Sequence, residues 1–386
     1  MWELEDSRAT IVVAAVTTAS CHITISGGSG PTAHPSATPT PESIEKVLPG
    51  IEHFVEQERG LKFKRKVHAD VLGDKAFLRQ LHKGEKKPKP QEVEALLGTL
   101  SALGLVAPTT PIVRAFRTAR DNGTLGFYDF KTKRLYVRGR SATPGVRAVL
   151  SHELTHALTD QWFGLRRPKL RKRNDERQSA FTALSEGDAE RTRIAYEAQA
   201  LTPDQRQAAE TEENGSGAFP HVPKVVLQLI GFPYVVGPQF VNALVRQGGV
   251  HALDTAYRRP PVSSEQLINP SSYFGHDEPK PVAKPKPDGK QVDHGVLGYV
   301  GLLLTLENGL DQGAAQSAVY GWGGDHYTTW RVHGGHHWCL RANVVMDDDT
   351  AAGRFDQALR EWAVTRAGKV DIEKQGHLTA FVSCSD

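Results

Sequence analysis

His152, Glu153 and His156 stand in the order His-Glu-Leu-Thr-His. Residues four apart on a helix lie one turn above each other, so the two imidazoles face the same way and can bind one Zn²⁺ at about 2.0–2.1 Å. Glu153 is one step round the helix from His152, beside such an ion but free to take a proton from a water that the metal activates. A catalytic zinc needs a third protein ligand and an open fourth position. A metzincin continuation would place Gly at 159 and His or Asp at 162, whereas Thr159 and Trp162 stand there. The other route takes a carboxylate from a following helix, and Glu186 in Leu184-Ser185-Glu186-Gly187-Asp188-Ala189-Glu190 offers one. Gly187 would let the two helices pack closely. Glu190, one turn beyond Glu186, is the expected acceptor for a ligating imidazole, with Asp188 and Asp160 as rivals. The competing reading is a surface acidic cluster paired with Arg191 and Arg193.

Hydrolytic chemistry with a metal-activated water would also call for a group that stabilises an oxyanion. Tyr327 and His326, in Asp325-His326-Tyr327 after an expected glycine-rich turn at Gly321-Trp322-Gly323-Gly324, are the candidates, together with His294. His333, His336 and His337 could suggest a second metal site, but the glycines between them fit a hairpin turn better. The stretch 152–161 with Glu186-Gly187-Asp188-Ala189 resembles the gluzincin side of the HExxH zinc metallopeptidases. Gly126-Phe127-Tyr128, the segment 134–139 and Gly321 to Asp325 look like a narrower group of secreted or lipoprotein metallopeptidases of actinobacteria. This resemblance covers most of residues 44–367 and implies a thermolysin-like core, zinc on His152, His156 and Glu186, and Glu153 as general base. It brings no substrate with it.

The motif needs a helix to hold it. Thr143-Pro144 is an N-cap followed by a first-turn proline, and Gly164 fits a C-terminal stop. A hairpin is expected over 126–139, with strand 134–137 at the cleft edge as in related zincins, and a second long helix over 176–201. Residues 225–250 and 295–306 read as buried helical material, 279–287 as a Lys/Pro linker, and the C-terminus as hairpin, amphipathic helix and returning strand. Residues 44–110 form a helical or mixed N-terminal lobe, and 111–386 the zincin-like catalytic region. The fold class is α+β. The basic run 166–173 is expected as a solvated loop near the end of the active helix.

With 39% apolar and 24% charged residues, the chain of 386 residues is globular, and a balance of 47 basic against 44 acidic residues gives no case for a nucleic-acid partner. The longest apolar runs, 11–19 and 295–306, fall short of the roughly 20 residues of a bilayer span. Residues 1–21 read as a signal segment ending in a lipobox-like Thr18-Ala19-Ser20-Cys21, without a basic start, and 22–43 as a Ser/Thr/Pro/Gly tether. Cys21 is then a lipidation site and the only means of membrane association. Cys339 and Cys384, in strand-like contexts, would pair in an oxidising compartment. The expectation is a zinc endopeptidase acting on peptides or proteins outside the cytoplasm. The rival is a non-catalytic envelope protein, which would have no use for a free carboxylate such as Glu153 beside its metal.

Overall fold

The computed structural model describes residues 8–9, 42–167, 170, 175–215, 219, 221–332 and 337–385. Cys21, the signal segment apart from Arg8 and Ala9, the tether apart from Glu42 and Ser43, His333, His336 and most of the basic run 166–173 lie outside the described residues. Helices and strands are mixed, in agreement with the α+β expectation.

The first half runs β1 (Arg8–Ala9), α1 (Ile44–Arg59), β2 (His68–Leu72), α2 (Asp74–Leu81), α3 (Pro90–Ala102), α4 (Ile112–Gly123), β3 (Gly126–Asp129), β4 (Arg134–Arg138) and α5 (Pro144–Phe163). Next come α6 (Asp175–Ala200), α7 (Pro203–Gly215), α8 (Lys224–Arg258), α9 (Ser264–Ile268) and α10 (Pro270–Phe274). The last third is β5 (Lys290–Gly295), α11 (Gly298–Leu306), α12 (Gln312–Val319), β6 (Trp322–Arg331), β7 (Trp338–Met346), α13 (Asp349–Val364), β8 (Val370–Gln375) and β9 (Leu378–Cys384).

One sheet has the order β1-β3-β4-β2. Strands β3 and β4 form the expected hairpin, with Phe127 opposite Tyr136. Strand β4 is not an edge, however: β3 pairs on one side and β2, in parallel, on the other. The backbone groups of residues 134–138 are thus used within the sheet, and the strand that lies against α5 at Glu153 is β3.

Helix α5 is the centre of the first core. The Thr143 hydroxyl accepts from the Val146 N–H at 3.3 Å, Pro144 occupies the first turn, and Gly164 stops the helix at φ +65°. Every residue from Ala148 to Asp160 is buried. Such a helix is surrounded rather than half-solvated, so its apolar residues are not confined to a single face. Ser151, Thr155 and Thr159 tolerate burial because their hydroxyls donate to carbonyls of their own helix, at Ala148, Ser151 and Thr155. Leu150, Leu154 and Leu158 are fully buried, each contributing on the order of 1.5–3 kcal/mol.

Around α5 pack α1, α6, α7 and the hairpin, with Val55, Leu184, Phe240 and Tyr257 in the same core. Helix α8 exceeds the expected 225–250 and bends where Gly248 and Gly249 leave helical geometry. By length and composition it could cross a membrane; here it is packed along α6, with Phe240, Val241 and Leu244 buried.

A second core lies on the antiparallel sheet of order β5-β6-β7-β9-β8. Trp322, Phe355, Trp362 and Phe381 fill it between the sheet and α11, α12 and α13. Three sequence expectations change here. The glycine-rich 321–325 does not end in a turn but opens β6, so the C-terminal hairpin is longer than expected. Residues 290–295 form β5, so the helix begins at Gly298 rather than 295. The Lys/Pro segment 279–287 is strapped across the sheet: the Lys280 N–H donates to the Gly323 carbonyl at 2.6 Å, Thr328 to Pro285 at 2.9 Å, and Asn343 to Ala283 at 3.1 Å.

The expected N-terminal lobe is divided between the two cores. Helix α1 packs on α5 and α6, whereas α3 lies against β5, β6 and β7. Cys339 and Cys384 are partners across β7 and β9 and are joined by the expected disulfide.

Candidate metal centre

Helix α5 presents His152 and His156 to α6, which presents Glu186, and all three side chains are buried. The Nε2 atoms of the two imidazoles are 3.0 Å apart, and Oε2 of Glu186 stands 3.3 Å from the first and 3.6 Å from the second. Tetrahedral zinc with bonds of about 2.0–2.1 Å separates its ligand atoms by about 3.3–3.4 Å. Three converging donors at these distances, two of them imidazole nitrogens and one a carboxylate oxygen, lie close enough together to hold a metal ion such as zinc.

An imidazole that offers Nε2 to a metal keeps its proton on Nδ1, where a partner fixes the ring. Nδ1 of His156 lies 3.2 Å from Ser185 Oγ, which can accept its proton in that tautomer. Nδ1 of His152 faces Glu190 Oε2 at 3.5 Å. Glu190 is held in turn by Arg193, whose Nε and second guanidinium nitrogen donate to its two oxygens at 2.8 and 2.6 Å. Of the three expected orienting carboxylates, Glu190 takes the place beside an imidazole. Asp188 instead accepts from Arg59 at 3.0 Å and Tyr257 at 2.8 Å, tying α1, α6 and α8 together. Asp160, near the end of α5, accepts from Tyr128 at 3.1 Å and Lys133 at 2.6 Å, fastening the helix to the hairpin. Four residues along the helix from His156, it has left the metal-binding level.

Glu153 is fully buried, and its oxygens find no well-formed hydrogen bond within the described protein, only a weak approach of the Tyr128 backbone N–H. A carboxylate in that condition is costly unless something outside the protein's own hydrogen bonds meets it. Burial first, and the charge of Glu186, push its carboxyl well above the usual range, against the pull of His152 and the Tyr128 backbone N–H. Strand β3 comes this close because of Gly126: a Cβ there would lie 2.6 Å from Val149 Cγ1 and 3.2 Å from Glu153 Cγ.

The ligand groups set one another's charge. Burial alone would depress His152, but the neighbouring carboxylates of Glu186 and Glu190 raise it to about 9. Burial holds His156 below its ordinary value. Burial would raise Glu186, but the charges and hydrogen bonds of the two imidazoles outweigh it and lower the carboxyl.

Tyr327, His326 and His294 belong to the five-stranded sheet. The Tyr327 hydroxyl donates to Asp293 at 2.8 Å, and His326 stacks on His294 at 5.9 Å. Asp325 accepts from the Leu297 and Gly298 N–H groups that open α11 and from the Trp322 indole. Burial raises it to about 6 against these hydrogen bonds. The tyrosine beside the candidate metal ligands is Tyr234 of α8, whose ring lies over His152 with centroids 6.3 Å apart and planes at 27°. Ser185 could have been read from its place beside Glu186. Tyr234 had no such signal, because its position depends on how α8 crosses α6.

None of the known protein families, curated proteins or solved structures compared with this chain matches it.

Proposed function

We propose that the protein is a zinc-dependent peptide hydrolase of the gluzincin type, with Glu153 as general base, acting outside the cytoplasm. The observation that carries the reading is the joint arrangement of four buried groups. Two imidazole Nε2 atoms and one carboxylate oxygen converge at 3.0–3.6 Å, and a fourth group, Glu153, stands next to His152 with no well-formed hydrogen bond to its oxygens. A purely structural zinc site would fill its fourth position with a protein ligand and would not need that carboxylate.

When bound, zinc supplies an electrophile that polarises the scissile carbonyl and acidifies water. The chain does the rest. His152, His156 and Glu186 hold the ion; Glu190 and Ser185 orient the imidazoles. Glu153 accepts the proton of the attacking water and returns it to the departing amine. Burial excludes bulk water, so each of these charges acts in a medium of low polarisability.

Metal analysis of purified protein, beside cleavage of a broad peptide library, tests the proposal. Wild type should hold one zinc and cleave a subset of peptides, while His152→Ala should lose both properties. Zinc-loaded wild type that cleaves nothing would defeat the peptidase reading, and wild type that rejects added zinc would defeat the metal site itself.

A further inference from the structure

The carboxyl end of α5 is ringed by cations brought from separate stretches of the chain. Gln161 clamps the loop that follows α1: its Oε1 accepts from the Lys64 and Arg65 N–H groups at 2.7 and 2.9 Å, and its amide donates to the Arg65 carbonyl at 3.0 Å. The Trp162 indole N–H adds a bond to the Lys62 carbonyl at 2.8 Å. The exposed Lys62, Lys64, Arg65 and Lys66 are thereby fixed at the helix end that runs on into Arg166 and Arg167. Arg258, at the end of α8, joins them over the Phe163 ring at 5.3 Å.

A helix end carries only about half a negative charge. Lys64 and Arg167 already meet it, donating to the carbonyls of Gln161, Phe163 and Gly164 at 3.0–3.2 Å. Two nearby carboxylates are taken, Glu56 by Lys62 at 2.8 Å and Asp160 by Lys133 at 2.6 Å, and Glu52 lines the same groove as Lys66 without an ion pair to it. Arg65, Lys66, Arg166 and Arg258 thus have no ion-paired carboxylate among the described residues. Beside them stands Trp162, 40% exposed, with the Lys64 ammonium 3.9 Å from its ring centroid. A soluble polyanion would be met by the cations alone and has no use for an exposed indole. Tryptophan amid lysine and arginine suits the headgroup layer of a bilayer, where the ring enters the interface and the cations meet lipid phosphates. We propose that this end of α5 is a docking surface for an anionic membrane. Trp162 lies about 9 Å beyond His156 along the helix, so docking would hold the metal centre close to the lipid surface. The inference does not depend on the zinc reading or on the lipid expected at Cys21.

Full-length Cys21→Ser protein, which can carry no lipid, separates this surface from an anchor. It should co-sediment with vesicles of phosphatidylcholine and phosphatidylglycerol, bind much more weakly to phosphatidylcholine alone, and be released by added salt. Adding Arg65→Gln and Lys66→Gln should weaken binding to the anionic vesicles by about 25-fold, since each basic residue near such a surface contributes roughly fivefold. The melting temperature should stay at the starting value, because neither side chain is ion-paired. Trp162→Ala, with every cation in place, should weaken vesicle binding severalfold and leave any binding to soluble heparin unchanged. If phosphatidylglycerol does not improve sedimentation, or if the Arg65 and Lys66 replacements leave it as it was, the proposal is overturned. Binding to heparin without binding to vesicles, or vesicle binding indifferent to Trp162→Ala, would assign the surface to a soluble polyanion and likewise overturn it.

Discussion

Gly187 of α6 and Gly237 of α8 meet backbone to backbone: a Cβ on Gly187 would lie 2.2 Å from the Gly237 carbonyl carbon. No side-chain movement can relieve that clash, so Gly187→Ala must push α8 away from the helix that carries Glu186. Stability should fall by about 1–3 kcal/mol or more, and zinc affinity should fall with it. Chemical denaturation and zinc titration of the variant measure the two effects. An unchanged midpoint and affinity would mean that the helices do not cross here.

Glu190→Gln tests the orientation of His152. The amide keeps the shape but gives up the charge that faces Nδ1 and pairs with Arg193. Zinc affinity should drop by about 10–100-fold. Asp160→Asn, at the far end of the helix, should leave affinity at the wild-type value while lowering thermal stability, since it loses the ion pair with Lys133.

These contrasts mark what could be read in advance. Thr143, Pro144 and Gly164 delimit a helix by local chemistry, and the spacing of His152 and His156 fixes their common face whatever the rest of the fold does. Glu186 answers the need for a third ligand from a following helix, and Glu190 stands one turn beyond it. What depended on long-range packing was not legible. Tyr234 reaches the site through a crossing of two helices, and Asp160 shares the helix of the motif yet faces the hairpin. The glycines before Asp325 suggested a turn, but strand pairing with β7 and the Asp325 carboxylate at the start of α11 draw that segment into a sheet. Strand β8, exposed along most of its length, has no apolar alternation strong enough to announce it.

Glu265 gives a pH dependence remote from the metal centre. Burial, then the charges of Asp347, Asp277 and Glu176, raise its carboxyl from 4.5 to about 8, against Lys280. The fold thus favours the protonated acid, and this contribution to stability, complete below the unfolded value, is lost as pH rises through about 8. Glu265→Gln cannot ionise. Its melting temperature should match wild type near about pH 5 and exceed it by several degrees near about pH 9. A difference that is the same at both pH values would contradict the assignment.

The Cys339–Cys384 bridge closes a sequence separation of 45 residues between adjacent strands of the second core. Its loss should cost about 2–4 kcal/mol. Cys339→Ala/Cys384→Ala protein should melt at lower temperature than wild type, and added reductant should lower the melting temperature of wild type but not of the double variant. Peptide mapping without reductant should recover the two cysteines linked, and free thiols at both positions would reject the bridge.

Glu153→Gln tests the central claim most directly. The change keeps the volume of a fully buried side chain but removes the group proposed to take the proton from water. Peptide cleavage by the zinc-loaded variant should fall by at least about 10²-fold, with zinc content and melting behaviour retained. A Glu153→Gln protein that binds zinc and cleaves peptides as fast as wild type would show that this carboxylate is not the base.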